Sequence, residues 1–299
     1  MEDRSEFVGE FKDLLRNFIE YKRALGYKYT TISENLVRFS FFTLKYKIED
    51  KALSREIVLD WTAKRKSESS KTWEHRPNDL RQFVLYLRYM EYEAYIPDKK
   101  HKVTRNEYIP YIFTHKEIGK FFHACDHIRP SKVSSKHYVL PILFRLLYCC
   151  GLRISEVLSL KVEGLNLDSG IVTIRESKFR KDRLIPIAES LNGILRIYRA
   201  KVVNISGPKD YFFTNKDGSK LTRRDVYERF REILWKAGIS HGGRGKGPRL
   251  HDLRHNFCIF ALSRTVGKGI DLYCALPILS TYLGHSIVSA TQRYVRLTE

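Results

Sequence analysis

The hydrophobic positions of the first hundred residues repeat at helical spacing. Phe7, Phe11, Leu14, Leu15 and Phe18 share one face of a helix that Gly26 stops. Thr31 followed by Glu34 has the form of a capping box opening a second helix, with Leu36, Phe39, Phe42 and Leu44 along it. A third helix is expected from about Ser54 to Lys66, and a fourth carries Leu80, Phe83, Val84, Leu87 and Met90. Lys and Arg interleave with these positions throughout, and each taken singly reads as part of a solvated helix face. From Pro97 to Pro110 the apolar period lapses into a polar, basic run with Lys99, Lys100, His101, Lys102 and Arg105, which reads as a linker.

The helical period resumes at Thr114-His-Lys-Glu117, a second capping box. A long apolar helix follows from Tyr138 to Cys150, ends at Gly151, and gives way to a short helix over Ser155 to Leu160. The period then changes from helical to alternating. Ile171 to Ile174 and Leu184 to Ile187 flank a basic, polar segment, which predicts a β-hairpin. Helices return around Arg223 to Trp235, a loop with Gly242, Gly243, Gly245 and Gly247 precedes a helix opening near His251, and the remainder reads as helical to Tyr294. The expected fold is therefore mainly α with a small β-sheet, an α+β protein. It divides into a helical domain over 1–100, a basic linker over 101–111, and a mixed helical domain carrying the hairpin over 112–299.

Composition narrows the partners. A chain of 299 residues is long enough for two domains, each burying its own core. Lys and Arg total 54 against 34 Asp and Glu, a formal charge of +20. Solubility alone needs a net charge of only about 2–8, so a surplus this large points to a polyanion, nucleic acid before an anionic membrane surface. No apolar stretch approaches the roughly 18 residues of a membrane span. The start, Met1-Glu2-Asp3-Arg4-Ser5-Glu6, is too polar and acidic for a secretory signal. Five cysteines, Cys125, Cys149, Cys150, Cys258 and Cys274, lack CxxC spacing, which fits a reducing cytoplasm and excludes a zinc knuckle.

Five short patches carry candidate chemistry. They are Gly151-Leu-Arg153 with Glu156 just beyond it, a lysine in the hairpin segment (Lys178 or Lys181), His251-Asp-Leu-Arg254-His255, Leu283-Gly-His285, and Tyr294 nine residues later. Singly, each has an ordinary explanation: a helix C-cap before a surface arginine, a hydrogen-bonded structural histidine, a packed tyrosine. Together and in this order they resemble the tyrosine recombinase (phage integrase) family, whose hallmark is Arg, Lys, His-x-x-Arg, His and Tyr. The resemblance covers the C-terminal two thirds with specific motifs. It extends weakly to the helical N-terminal part, which looks like the family's core-site DNA-binding domain. Family hairpins often carry glycines around the lysine, whereas this one reads Glu176-Ser177-Lys178-Phe179-Arg180-Lys181. Counting back from Asp182-Arg183 favours Lys178, with Lys181 as the alternative.

The resemblance implies a division of labour. Arg153 and Arg254 clamp the non-bridging phosphoryl oxygens with planar forks that keep their charge. Tyr294 is the nucleophile, forming a 3′-phosphotyrosyl link and releasing a 5′-hydroxyl. His251 suits proton transfer at the tyrosine, Lys178 protonates the departing oxygen, and His285 hydrogen-bonds the phosphate. It further implies a double-stranded DNA recombination site as partner, a homo-oligomer of two to four subunits on that DNA, no cofactor, no membrane, and a place in the cytoplasm at the nucleoid. Five residues follow Tyr294, fewer than the docking tail of relatives, which implies truncation or assembly through other contacts.

Three rival readings remain at this point. His251 and His255, four residues apart, mimic a zinc-hydrolase helix, but Asp252 is shorter than the glutamate that motif needs and no third ligand is evident. A type IB topoisomerase uses similar chemistry as a monomer. A non-catalytic architectural DNA-binding protein accounts for the charge but not for a tyrosine and histidines in register.

Overall fold

The computed structural model describes residues 6–98, 109–175, 182–201, 207–243, 247–285, 287–292 and 294–295. The chain forms two compact units, Met1–Glu107 and Tyr108–Glu299. The first contains α1 (Lys12–Ala24), α2 (Thr30–Thr43), α3 (Arg55–Thr62) and α4 (Ser70–Tyr89). Their apolar faces meet in an aromatic core of Phe11, Phe18, Phe39, Trp61 and Phe83, with Leu15, Leu36, Leu80 and Leu87 between the rings. Such large rings bury much area per residue, which suits a unit of this size.

Two local expectations need correction here. The Thr31–Glu34 capping box does not open α2, which starts at Thr30 behind Tyr29 in a left-handed conformation (φ 48°) with no side-chain cap. The third helix stops at Thr62 rather than near Lys66. Its last carbonyls are taken by α4 instead: Trp73 Nε1 donates to Thr62 O, and Arg76 donates to Trp61 O and Ala63 O. These side chains, which only the tertiary fold brings near, replace the next helical turn. The Arg76 charge is itself matched by Glu68 in a buried pair.

The second unit contains α5 (His115–Asp126), α6 (Lys136–Cys149), α7 (Ile154–Leu158), β1 (Leu165–Asn166), β2 (Ile171–Ile174), β3 (Arg183–Pro186), α8 (Glu189–Lys201), α9 (Arg223–Lys236), α10 (Asp252–Gly267), α11 (Leu272–Leu283) and α12 (Ser289–Gln292). The Thr114–Glu117 capping box forms in both directions at α5. The strands make an antiparallel sheet in the order β1-β2-β3, with Ile171 opposite Pro186 and Ile174 opposite Arg183. Both β1 and α8 escape the sequence reading. β1 is two residues long, too short to show alternation. α8 is amphipathic, with Leu191, Leu195 and Tyr198 buried. The fold class agrees with expectation: mainly helical, with one small antiparallel sheet.

α6 is apolar on most of its circumference, and accordingly it runs through the interior, packed by α5, α7, α8 and α10. Asn256 of α10 anchors the start of this unit. Its Oδ1 accepts from Phe113 N at 2.8 Å, and its Nδ2 donates to Tyr111 O at 2.8 Å and to Asp252 O at 2.7 Å. A second, smaller core joins Cys258, Ile259 and Leu262 of α10 to Ala275, Leu276, Leu279 and Leu283 of α11, and Tyr294 belongs to it. No described helix is long and apolar enough to cross a membrane.

Candidate active site

The site is built where α6, α7, α10 and α11 end or begin. Gly151 closes α6 with φ +58°, and a Cβ there would lie 2.3 Å from Phe257 Cδ1 of α10. Only glycine allows both that backbone turn and the approach of α10. The turn delivers Arg153 to the start of α7. One turn on, Glu156 accepts from Arg153 N at 2.8 Å and from Arg153 Nη1 at 2.7 Å.

Glu156 also holds a second arginine. Arg183, the first residue of β3, forks onto the carboxylate with Nη1 3.0 Å from Oε1 and Nη2 2.8 Å from Oε2, and its Nε donates to Tyr282 O at 2.8 Å. A third guanidinium, Arg254 on α10, stands with Nη1 4.0 Å from the same carboxylate. Burial works against the Glu156 charge, but the hydrogen bonds from Arg183 and Arg153 hold its pKa below the ordinary value. One carboxylate among three guanidiniums leaves two positive charges in surplus.

Arg254 is 1% exposed. It donates to Gly151 O at 2.6 Å and Leu283 O at 2.8 Å, and its Nη2 lies 3.1 Å from His285 Nε2. Burial pulls its pKa down to about 10, with the Arg153 charge working in the same direction. Gly284 ends α11 in the left-handed conformation (φ +66°), and Arg153 Nη2 donates to its carbonyl at 2.9 Å. His285 then has Nε2 toward Arg254 and Nδ1 2.8 Å from Thr291 Oγ1. Since a guanidinium only donates, this network assigns the neutral tautomer with the proton on Nδ1. Burial and then the Arg254 and Arg153 charges hold His285 down to about 4.

His251 occupies the N-cap position of α10, without a side-chain capping bond, and is exposed. The atoms packed around its ring, then the charges of Arg254 and Arg153, lower its pKa to about 4. The Tyr294 hydroxyl is bonded to a different histidine: His255 Nδ1 lies 2.8 Å from it. The His251 and His255 rings meet edge to face with centroids 4.6 Å apart. Tyr294 is 5% exposed, its ring against the α10–α11 core.

The structure thus brings Arg153, His251, Arg254, His285 and Tyr294 into one neighbourhood. Lys178 and Lys181 lie outside the described residues. His255, Glu156 and Arg183 are the members whose part the sequence reading missed. For His255 the available signal was its four-residue spacing from His251, which suggested a metal mimic rather than a tyrosine partner. Among the described residues no group of three His, Cys, Asp or Glu side chains is placed to hold a metal ion. Two arginines near a tyrosine hydroxyl that is hydrogen-bonded to a histidine are side-chain types that phosphoryl transfer can use.

Comparison with known proteins adds an independent line. The family model described as "Phage integrase family" matches residues 112–299. The chain is 27% identical to a tyrosine recombinase, XerA, of Pyrococcus horikoshii, covering 100% of this chain and 93% of that one. It is 33% identical to XerA of Pyrococcus furiosus over a shorter span, 64% of this chain and 58% of that one. In fold it is similar to the Tn1549 transposon integrase solved in complex with transposon right end DNA, with a TM-score of 0.66, 16% identity, and 94% of this chain and 93% of that chain covered.

Proposed function

The chain belongs to the phage integrase family, and from that premise we propose that it is a tyrosine-type site-specific DNA recombinase. It cuts and rejoins DNA strands through a 3′-phosphotyrosyl intermediate, mediating integration or excision. The observation that carries this reading is the convergence of Arg153, Arg254, His285 and Tyr294 from four separate segments on the ends of α10 and α11. Packing alone does not call for a surplus of buried positive charge beside a tyrosine hydroxyl.

The geometry supports the following chemistry. The two surplus charges at Arg153 and Arg254 neutralise the non-bridging oxygens as a fifth bond forms to phosphorus. The Tyr294 oxygen attacks, and its proton passes to an imidazole; His255 is in contact with it and His251 is the next ring. The 3′-oxygen side of the phosphate stays on the enzyme. The 5′-oxygen leaves as a hydroxyl with a proton from Lys178, or from Lys181 if the register differs. The phosphotyrosyl link retains the energy of the original bond, so a different 5′-hydroxyl can reverse the step and exchange strands. His285 offers Arg254 an acceptor while DNA is absent. To donate to a phosphate its Nε2 must carry a proton, either by uptake, which the approaching negative charge favours, or by a tautomer change with the Thr291 hydroxyl turning to donate to Nδ1.

The helical unit over 1–100 acts as the core-site DNA-binding domain, 101–111 as a basic linker, and 112–299 as the catalytic domain. The partners are a double-stranded recombination site and further copies of this chain, two to four on the DNA, in the cytoplasm at the nucleoid. The test uses nicked duplexes tiling the DNA on both sides of its gene, resolved on a denaturing gel. We expect a covalent protein–DNA adduct at one sequence, absent in Tyr294→Phe, which still binds. An adduct in the Phe variant refutes the assigned nucleophile. Relaxation of supercoiled plasmid without a preferred site favours the topoisomerase reading.

A further inference from the structure

Arg183 has no place in the chemistry above, yet it is one of the most heavily bonded side chains around the site. Its side chain is 9% exposed, and all three guanidinium nitrogens have partners: both Glu156 oxygens and Tyr282 O. A Cβ on Gly284 would lie 3.0 Å from its Nη1, so the turn leading to His285 rests directly on this guanidinium. Arg183 therefore touches the carboxylate that holds Arg153 and the turn that holds His285.

The charge arrangement says what this does. Without Arg183, Glu156 would face Arg153 as a one-to-one ion pair, with Arg254 at 4.0 Å as the remaining cation. A phosphodiester would then meet one surplus positive charge where the present site offers two. We propose that Arg183 is a positioning residue that satisfies Glu156, so that Glu156 aligns Arg153 without neutralising it. Glu156 supplies the geometry, accepting from both the backbone and the side chain of Arg153. Arg183 supplies the counter-charge that geometry requires.

This inference rests on the recombinase reading, and the experiment separates the two. Single-turnover cleavage of the nicked duplexes is measured beside DNA affinity for the wild type, Arg183→Met, Arg183→Lys and the double variant Arg183→Met/Glu156→Gln. Arg183→Met should lose about a hundredfold in cleavage rate, the scale of removing one preorganised charge stabiliser, with affinity changed less than about threefold since one of many charges is lost. Arg183→Lys keeps the charge and should retain most of the rate. The decisive variant is the double one. Removing the carboxylate charge restores the surplus, so it should cleave at least tenfold faster than Arg183→Met. A purely structural Arg183 gives the opposite, because a second buried polar partner is lost. A double variant no faster than Arg183→Met overturns the proposal, as does Arg183→Lys as slow as Arg183→Met. Should Arg183→Met fail to fold, Arg183→Gln replaces it as the uncharged arm of the same comparison. A wild type that forms no adduct on any duplex overturns the recombinase reading and this inference with it.

Discussion

Gly151→Ala is the smallest change that tests how the site is assembled. The perturbation adds one methyl group at φ +58°, 2.3 Å from Phe257 Cδ1 and 2.9 Å from Phe257 Cγ. Two costs follow. Holding an alanine in the left-handed region costs about 1–2 kcal/mol. Displacing the Phe257 ring, which is stacked on Tyr282 at 5.5 Å between centroids, is overpacking, at about 1–3 kcal/mol. The sum, about 2–5 kcal/mol, is a large share of the roughly 5–15 kcal/mol that stabilises a domain. Because Gly151 O accepts from Arg254, any backbone retreat also moves that guanidinium, and cleavage should fall with stability. The assay is urea unfolding followed by hydrogen exchange in α10, which reports the second unit on its own. Phe257→Ala divides the two costs. In that background Gly151→Ala should cost only the backbone part, giving a coupling of about 1–3 kcal/mol. The reasoning fails if alanine is tolerated within about 0.5 kcal/mol, or if its cost is the same with and without the Phe257 ring.

Lys178→Ala should lose most cleavage on ordinary DNA and recover on a 5′-bridging phosphorothiolate, whose thiolate, with a conjugate acid near pKa ~8.5, leaves without a proton; recovery by Lys181→Ala instead moves the acid three residues. Arg153→Ala should not recover on sulfur, since phosphoryl charge is unchanged there, and a recovery would remove it from the clamp. His285, held at about 4 without DNA, is neutral at pH 6, and a phosphate beside it raises its pKa, so binding should take up a proton and tighten as pH falls from 8 to 6. Calorimetry in two buffers of different ionisation enthalpy measures this, and an uptake unaltered in His285→Gln assigns the proton elsewhere. Binding should weaken with salt at a log–log slope of about −0.9 per neutralised phosphate, and a flat salt dependence contradicts an electrostatic grip.

Much of the fold is legible along the chain because its causes are local. Apolar residues at helical spacing recur wherever a helix buries one face, and Thr114–Glu117 closes its capping box within four residues. The alternation over Ile171–Ile174 and after Arg183 marks two paired strands for the same reason. What fails is what depends on partners far away. α3 ends at Thr62 because Trp73 and Arg76 take its carbonyls, and nothing near Lys66 announces that. β1 exists only as a short partner for β2.

The site divides along the same line. Residue types and their order are written along the chain: two arginines, two histidines and a tyrosine on short motifs, with glycines at the two turns. Those turns are local, since a left-handed residue at Gly151 or Gly284 is a property of one peptide unit. The tertiary structure alone decided which side chain meets which. It set His255 rather than His251 against the Tyr294 hydroxyl, 39 positions away, and it set Arg183 and Arg153 on one carboxylate. Hydrogen bonds and charge pairs act over a few ångströms in space, irrespective of separation along the chain. Their partners are settled only when α10, α11 and β3 pack together.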